Sequence, residues 1–410
     1  MGHFVAEANV KSFVHEEGSV QSAPSERRLR QVGGWIILYL LLQAELGLAW
    51  DRQWHDLVGR DQFWIPPHIM MYSGVGGAGI VALVLILVDS LRYSRGKAGV
   101  DDSSTASIFW LFHAPLGFIM LGFGTFIDLL AAPFDNYWHQ LYGIDVTLWS
   151  PFHLMGTIGG VLAGLGAVYI FASEATIERQ VKRPSFRLLG LSGPEWGLLI
   201  LLSAFIELTL PALTAFIPLP LGPLQILTYP LILTIAVCGS LLGAVQTIRR
   251  PGIAILIITL LCVEALLTQL FIPWGLDYVV PRFGYTFRFS GRVPSFNIAL
   301  ALLPLVFLLS AILLDGVALW QRHRDGSSEK PLRGVGILGM LMALPVLILP
   351  PLMIQILLQG VNLSLHPDVV RVLGPAWSDT LTTLPFTLLV GAIMAILGAA
   401  VGDIWHLSRR

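Results

Sequence analysis

Ten apolar stretches, each long enough to cross a bilayer, run through this chain near residues 34–51, 68–94, 107–131, 153–173, 191–215, 220–248, 251–273, 295–320, 334–359 and 380–407. A hydrocarbon core about 30 Å thick takes about 20 helical residues per crossing. Inside lipid every backbone N–H and C=O must be paired within the protein, so only helices and closed barrels span it. A barrel needs alternating strands of about ten residues, and none appear. The expected fold is therefore all-α: a polytopic membrane helix bundle of about ten transmembrane helices. Charged residues make up only 12% of the chain, and no linker or change of composition marks a second soluble domain.

The basic residues orient the bundle. With ten spans, all but six of the 25 lysines and arginines fall on the side of the two termini, the exceptions being Arg52, Arg60, Arg282, Arg288, Arg292 and Arg371. Loops rich in Lys and Arg stay inside, so both termini are expected in the cytoplasm of a cell with the protein in its inner membrane. Residues 1–30 form a polar cytoplasmic arm without the short apolar core and cleavage site of a secretory signal. Residues 31–175 hold four spans and residues 190–408 six more. A net charge of −1 and the lack of a basic stripe argue against nucleic acid as a partner. The two cysteines, Cys238 and Cys262, both lie within spans, which argues against a disulfide framework and a Cys-rich zinc site.

The chemistry sits in two outer segments that read alike. Asp51, Trp54 and His55 precede Arg60, Asp61, Pro66 and His68; Asp135, Trp138 and His139 precede Asp145, Pro151 and His153. The offset between copies is 84 residues at the Asp and first His (51 to 135, 55 to 139) and 85 at the second His (68 to 153). An Asp and a His four apart share one face of a helix. The second His follows a proline suited to the first helical position, and Ser150-Pro151 reads as a helix cap and start. The positive end of the helix dipole there disfavours imidazolium and keeps the ring able to coordinate. Asp51, His55 and His68 make one metal site, and Asp135, His139 and His153 the other. Outer-shell roles fall to Glu45, Asp61, Asp128 and Asp145, which can hold the ring N–H groups. Glycines at 74, 76, 77 and 79 and at 156, 159, 160 and 164 follow the second histidines and allow close helix approach. Trp54, Trp64, Trp138 and Trp149 read as an interfacial aromatic belt.

Other polar residues carry weaker signals. Glu207 and Glu264 fall in the middle of apolar runs, where an acid marks either an ion or proton path or a neutral carboxyl bonded between helices. His113 reads as a packed core histidine. The stretch from Asp277 to Asn297 faintly echoes the motif, and His366, Asp368, Arg371 and Asp379 outline a small outer surface helix.

The order and spacing of Asp51, Trp54, His55, Arg60, Asp61, Pro66 and His68 resemble the copper-site segment of the C subunit of the particulate methane and ammonia monooxygenases. There an Asp and two histidines bind copper, roles that the resemblance assigns to Asp51, His55 and His68. It also implies a place for the Arg60-Asp61 pair beside them. The second segment is similar to the neighbouring copper site of that subunit, where Asn takes the position of Asp135; Ile144-Asp145 replaces the Arg-Asp pair. The resemblance covers roughly the first 175 residues. It implies copper centres on the periplasmic face, partner membrane subunits or a homo-oligomer, and oxidation of a small apolar molecule by dioxygen. Two other readings keep the same ligands: a zinc hydrolase of membrane lipids, and a non-enzymatic metal-handling or transport protein using Glu207 and Glu264 for passage.

Overall fold

The computed structural model describes residues 24–59, 62–97, 100, 102, 104–142, 150–180, 187–213, 218–288, 295–326, 330–358 and 377–407. Its helices are α1 (Pro24–Leu57), α2 (Pro66–Ser94), α3 (Leu116–Tyr142), α4 (Pro151–Gln180), α5 (Gly193–Glu207), α6 (Tyr229–Ile248), α7 (Ile253–Arg282), α8 (Ile298–Ala301), α9 (Leu308–Asp325), α10 (Val335–Leu358) and α11 (Trp377–Leu407). The chain is an all-α polytopic bundle: among the described residues, nine helices are long and apolar enough to cross a membrane.

Ten were expected, and α5 accounts for the difference. Its 15 residues reach about 22 Å, short of a crossing. Pro211 explains the stop: it has no N–H to continue the ladder, and its ring would strike the carbonyl of Glu207. The last turn closes instead through Leu208 N–H on Ala204 O and Thr209 N–H on Ile206 O. Ser203 meets Glu264 and Glu207 meets Thr268, so α5 and α7 run side by side in the same direction. Glu207, the last residue of α5, thus lies level with the middle of the 30-residue α7. Beyond it the chain passes through a 3-10 turn at Leu210–Leu213 and a short hairpin of β1 (Leu219–Leu221) and β2 (Leu224–Ile226) to reach α6.

Two further expectations change. The run expected to begin the third helix at 107 is instead an antiparallel hairpin, Thr105–Ile108 paired with Phe112–Pro115, and α3 starts at Leu116. β-branched Thr105 and Ile108 suit strands, and the hairpin base is pinned by Arg30, which binds Asp89 Oδ2 (2.9 Å), Asp102 Oδ2 (2.6 Å) and Val100 O (2.9 Å). The eighth run is broken into α8, a 3-10 turn at Leu303–Phe307 and α9.

Contacts between helix ends fix the bundle's polarity. Arg27 near the start of α1 pairs with Glu174 near the end of α4, Arg179 of α4 pairs with Glu195 at the start of α5, and Thr176 donates to Trp405 O near the end of α11. Both ends of the described chain therefore lie at one end of the bundle. The α1–α2 and α3–α4 connections lie at the other.

The two hairpins of the first half pack alike, backbone against backbone. A Cβ added to Gly74 would fall 2.5 Å from Leu40 O and 2.9 Å from Ala44 N; one added to Gly159 would fall 2.7 Å from Gly124 O and 2.6 Å from Asp128 N. Leu40 to Gly124 and Ala44 to Asp128 are both offsets of 84, and Gly74 to Gly159 is 85, the same as in the metal-ligand motif. The matched approach at Gly74 and Gly159 sets both pairs of helix ends in a similar relation.

Candidate metal centres

Each triad forms where one helix ends and the next begins. α1 carries Asp51 and His55 in its last two turns and closes with Val58 N–H and Gly59 N–H on Trp54 O. Gly59, at φ +71°, supplies the left-handed residue that ends the helix. α2 then opens on Pro66 and Pro67 with His68 in its first turn. In the second copy α3 carries Asp135 and His139, and Ser150 caps α4 as read from the sequence, its Oγ accepting the His153 N–H at 3.1 Å.

The aspartate of each copy faces two imidazoles through the same ring atom. His55 Nε2 is 3.3 Å from Asp51 Oδ2 and His68 Nε2 is 3.1 Å from Asp51 Oδ1; His139 Nε2 and His153 Nε2 are each 3.2 Å from Asp135 Oδ2. Within each triad the donor atoms lie within 4.8 Å of one another. Two ligands about 2.1 Å from one ion and spread by about 100° lie about 3.2 Å apart. The spacing admits a shared cation, as it also admits an Nε2–H donating to the carboxylate.

Two details fit a metal further. His68 Nδ1 lies 3.2 Å from Phe63 O. A carbonyl only accepts, so the neutral ring carries its proton on Nδ1 and turns the Nε2 lone pair toward the carboxylate. Asp135 Oδ1 is shut off from solvent and has no hydrogen-bond partner among the described residues. With the rings neutral and protonated on Nδ1, the Nε2 lone pairs and the carboxylate would repel at this range unless a cation lay between them. The donor set of two imidazoles and one carboxylate suits copper or zinc, and three protein ligands leave a coordination position open.

The two centres differ in shelter. The difference lies in one ligand: Asp51, His55 and His68 are 12%, 14% and 13% exposed and Asp135 and His139 17% and 14%, whereas His153 is 29% exposed. The first centre is covered by the second half of the chain, a feature the sequence did not announce. Trp54 is fully buried, not part of a belt, and stands edge-on to Trp50 and Tyr285. Trp50 packs in turn on Phe271 of α7. Just beyond α7, Arg288 N–H donates to Leu57 O at 2.7 Å. Trp64, by contrast, is exposed, and Trp138 packs on Tyr142 and Phe152.

Of the residues given outer-shell roles, Arg60, Asp61 and Asp145 lie outside the described residues, as does Trp149. Glu45 and Asp128 turn to different neighbours. Asp128 reaches α4, its Oδ1 3.3 Å from where a Cβ on Gly156 would be. Glu45 instead lies within electrostatic reach of Glu207 and Glu264, so α1, α5 and α7 bring three acids together. Thr268 Oγ1 donates to Glu207 at 3.0 Å and Ser203 Oγ to Glu264 at 2.7 Å. Glu45 Oε1 and Glu264 Oε2 are closed to solvent and take no hydrogen bond among the described residues. His113 is buried on the 105–115 hairpin, with Ser107 Oγ 2.7 Å from its Nδ1 and Tyr93 stacked on its ring.

Comparison with protein-family models, with curated proteins and with solved structures finds no match to this chain.

Proposed function

We propose that this protein is a copper-binding membrane oxidoreductase of the monooxygenase kind, or a subunit of one, built on a duplicated metal-site hairpin. The observation that carries the reading is that each copy sets one carboxylate 3.1–3.3 Å from two imidazole Nε2 atoms. The motif's resemblance to the monooxygenase C subunit selects copper and dioxygen. Bound copper supplies one-electron redox chemistry toward a small molecule at the open position. The chain's own part is to hold that position. Asp51 and Asp135 neutralise charge, the Phe63 carbonyl orients His68, and α7 with Trp54 and Tyr285 keeps water from one flank of the first centre. Placing the Lys- and Arg-rich loops in the cytoplasm puts both termini there and both centres at the periplasmic face of the inner membrane. A small apolar substrate then reaches them from the bilayer.

The test is metal analysis with electron paramagnetic resonance on protein purified from membranes, comparing wild type with His55→Ala and His139→Ala. Copper in the parent, reduced in each variant, is the expected result. Zinc without a copper signal favours a hydrolase, and unchanged metal in both variants removes the sites altogether.

A second reading, metal handling, draws on Glu45, Glu207 and Glu264 gathered at the broken end of α5, where acids in transporters line ion paths. Glu207→Gln with Glu264→Gln distinguishes the two. Metal uptake into vesicles is lost under this reading while both outer centres keep their metal.

A further inference from the structure

At the end of the bundle opposite the triads, the 105–115 hairpin closes in an unusual turn. Leu111 N–H bonds to Ile108 O at 3.2 Å, and the two central residues, Phe109 and Trp110, have φ of +53° and +55°. Turns of this shape normally take Asn or Gly, because a bulky side chain in the left-handed region is strained. Here both positions hold large aromatics, and the tip is bare: Phe109 is 74%, Trp110 102% and Leu111 70% exposed. Water would leave the strain and the apolar exposure uncompensated.

The rest of the hairpin is firmly seated. Its base is clamped by Arg30 through Asp102 and Val100, Ser90 of α2 bonds the His113 N–H at 2.9 Å, and Tyr93 stacks on His113. Ile108 and Phe112 pack on the core. The hairpin is therefore held against the last turns of α2, whose exposed Leu83, Leu87 and Leu91 lie four residues apart on one face. Arg95 and Lys97, both exposed, follow at the end of the same helix. Apolar aromatics beside basic side chains at the end of a membrane helix make the pattern that settles at a headgroup boundary.

We propose that Phe109, Trp110 and Leu111 form an interfacial anchor that inserts into the lipid headgroup boundary at the end of the bundle away from the metal centres. The bilayer surface is the occupant, because the tip is held by the end of a membrane-length helix with an exposed apolar face, and the exposed Arg95 and Lys97 that follow that helix match phospholipid headgroups.

The experiment uses the full chain labelled with fluorotryptophan, in nanodiscs of mixed phosphatidylcholine and phosphatidylglycerol. Fluorine NMR reads the Trp110 resonance, assigned by its disappearance in Trp110→Phe, a conservative change at an exposed site. A lipid nitroxide placed near the headgroup is expected to broaden that signal beyond detection, and a water-soluble gadolinium chelate to leave it close to its original width. The reverse pattern overturns the proposal. So does a signal protected from both agents, which would mean that a protein or a second copy of the chain covers the tip.

Discussion

Replacing Asp51 with alanine should empty one metal centre and spare the other. Each triad has a single charged ligand, since both of its histidines bind as neutral rings. Removing that ligand leaves two imidazoles without the anion that faces them at 3.1 and 3.3 Å. Breaking a buried charge contact of this kind costs about 3–5 kcal/mol. At about 1.4 kcal/mol per decade, that is roughly a 10²- to 10⁴-fold rise in Kd for the first centre. Solvent screening places Asp135→Ala nearer the lower end of the same range, since His153 is 29% exposed against 13% for His68. The assay is competition with a chelator of known affinity, combined with total metal per chain. Wild type is expected to hold two ions, each single variant one, and the double variant none. The helix crossings at Gly74 and Gly159 are untouched by these changes, so the bundle should remain folded. Two ions retained by Asp51→Ala, with unaltered affinity, would refute the geometry from which the figure comes.

Three other perturbations test the fold that positions the centres. A Cβ at Gly124 would strike the backbone of Ala163 and Gly159, whereas one at Gly164 meets nothing within 4 Å; Gly124→Ala should cost about 1–3 kcal/mol and Gly164→Ala should be neutral or slightly stabilising, as read by thermal unfolding in detergent. Burial raises the pKa of Asp102, but the Arg30 charge and the Ser104 N–H and Oγ–H bonds outweigh it and hold the carboxyl below its ordinary value. Its stabilisation is thus complete above the usual aspartate pKa of about 3.9 and lost as pH falls through the lower folded value, so Asp102→Asn should flatten the acid limb of a melting-temperature profile. Tyr285→Ala removes the ring that stands 5.0 Å from Trp54 and should speed metal loss from the first centre alone, which chelator-driven release kinetics on wild type and variant will show.

The triads were legible because each rests on local rules. An i, i+4 pair on a helix and a proline-led helix start bring the ligands to one point without help from distant parts of the chain. The apolar runs likewise revealed the helices, but not where they stop. Residues 107–115 run into the apolar stretch of the next span, and only the clamp from Arg30, 72 positions from Asp102, shows why 105–115 pair as strands. Pro211 was visible, yet a proline inside an apolar run kinks a helix as often as it ends one. Glycine content pointed to close helix contacts but not to their partners. Gly159 and Gly74 do meet backbone, Gly164 meets nothing, and the partner Gly124 lay unnoticed in the facing helix. Glu45 and Asp128 looked equivalent, but their offset of 83 residues is one short of the 84 that separates the two Asp/His motifs (45 to 128, against 51 to 135). One residue on a helix turns a side chain by about 100°. That is enough to send Glu45 toward α5 and α7 and Asp128 toward α4.

That rotation, together with the cover from α7, gives the second half of the chain a physical role. The second half packs Phe271, Tyr285 and the Arg288 backbone around the end of α1, and sets Glu207 and Glu264 beside Glu45 two turns below Asp51. A sheltered centre strengthens every electrostatic contact within it, since fewer water molecules screen the charges. The two ligand sets thus differ in what surrounds them, the first being flanked by the contacts that α7 and the residues just beyond it make with the end of α1.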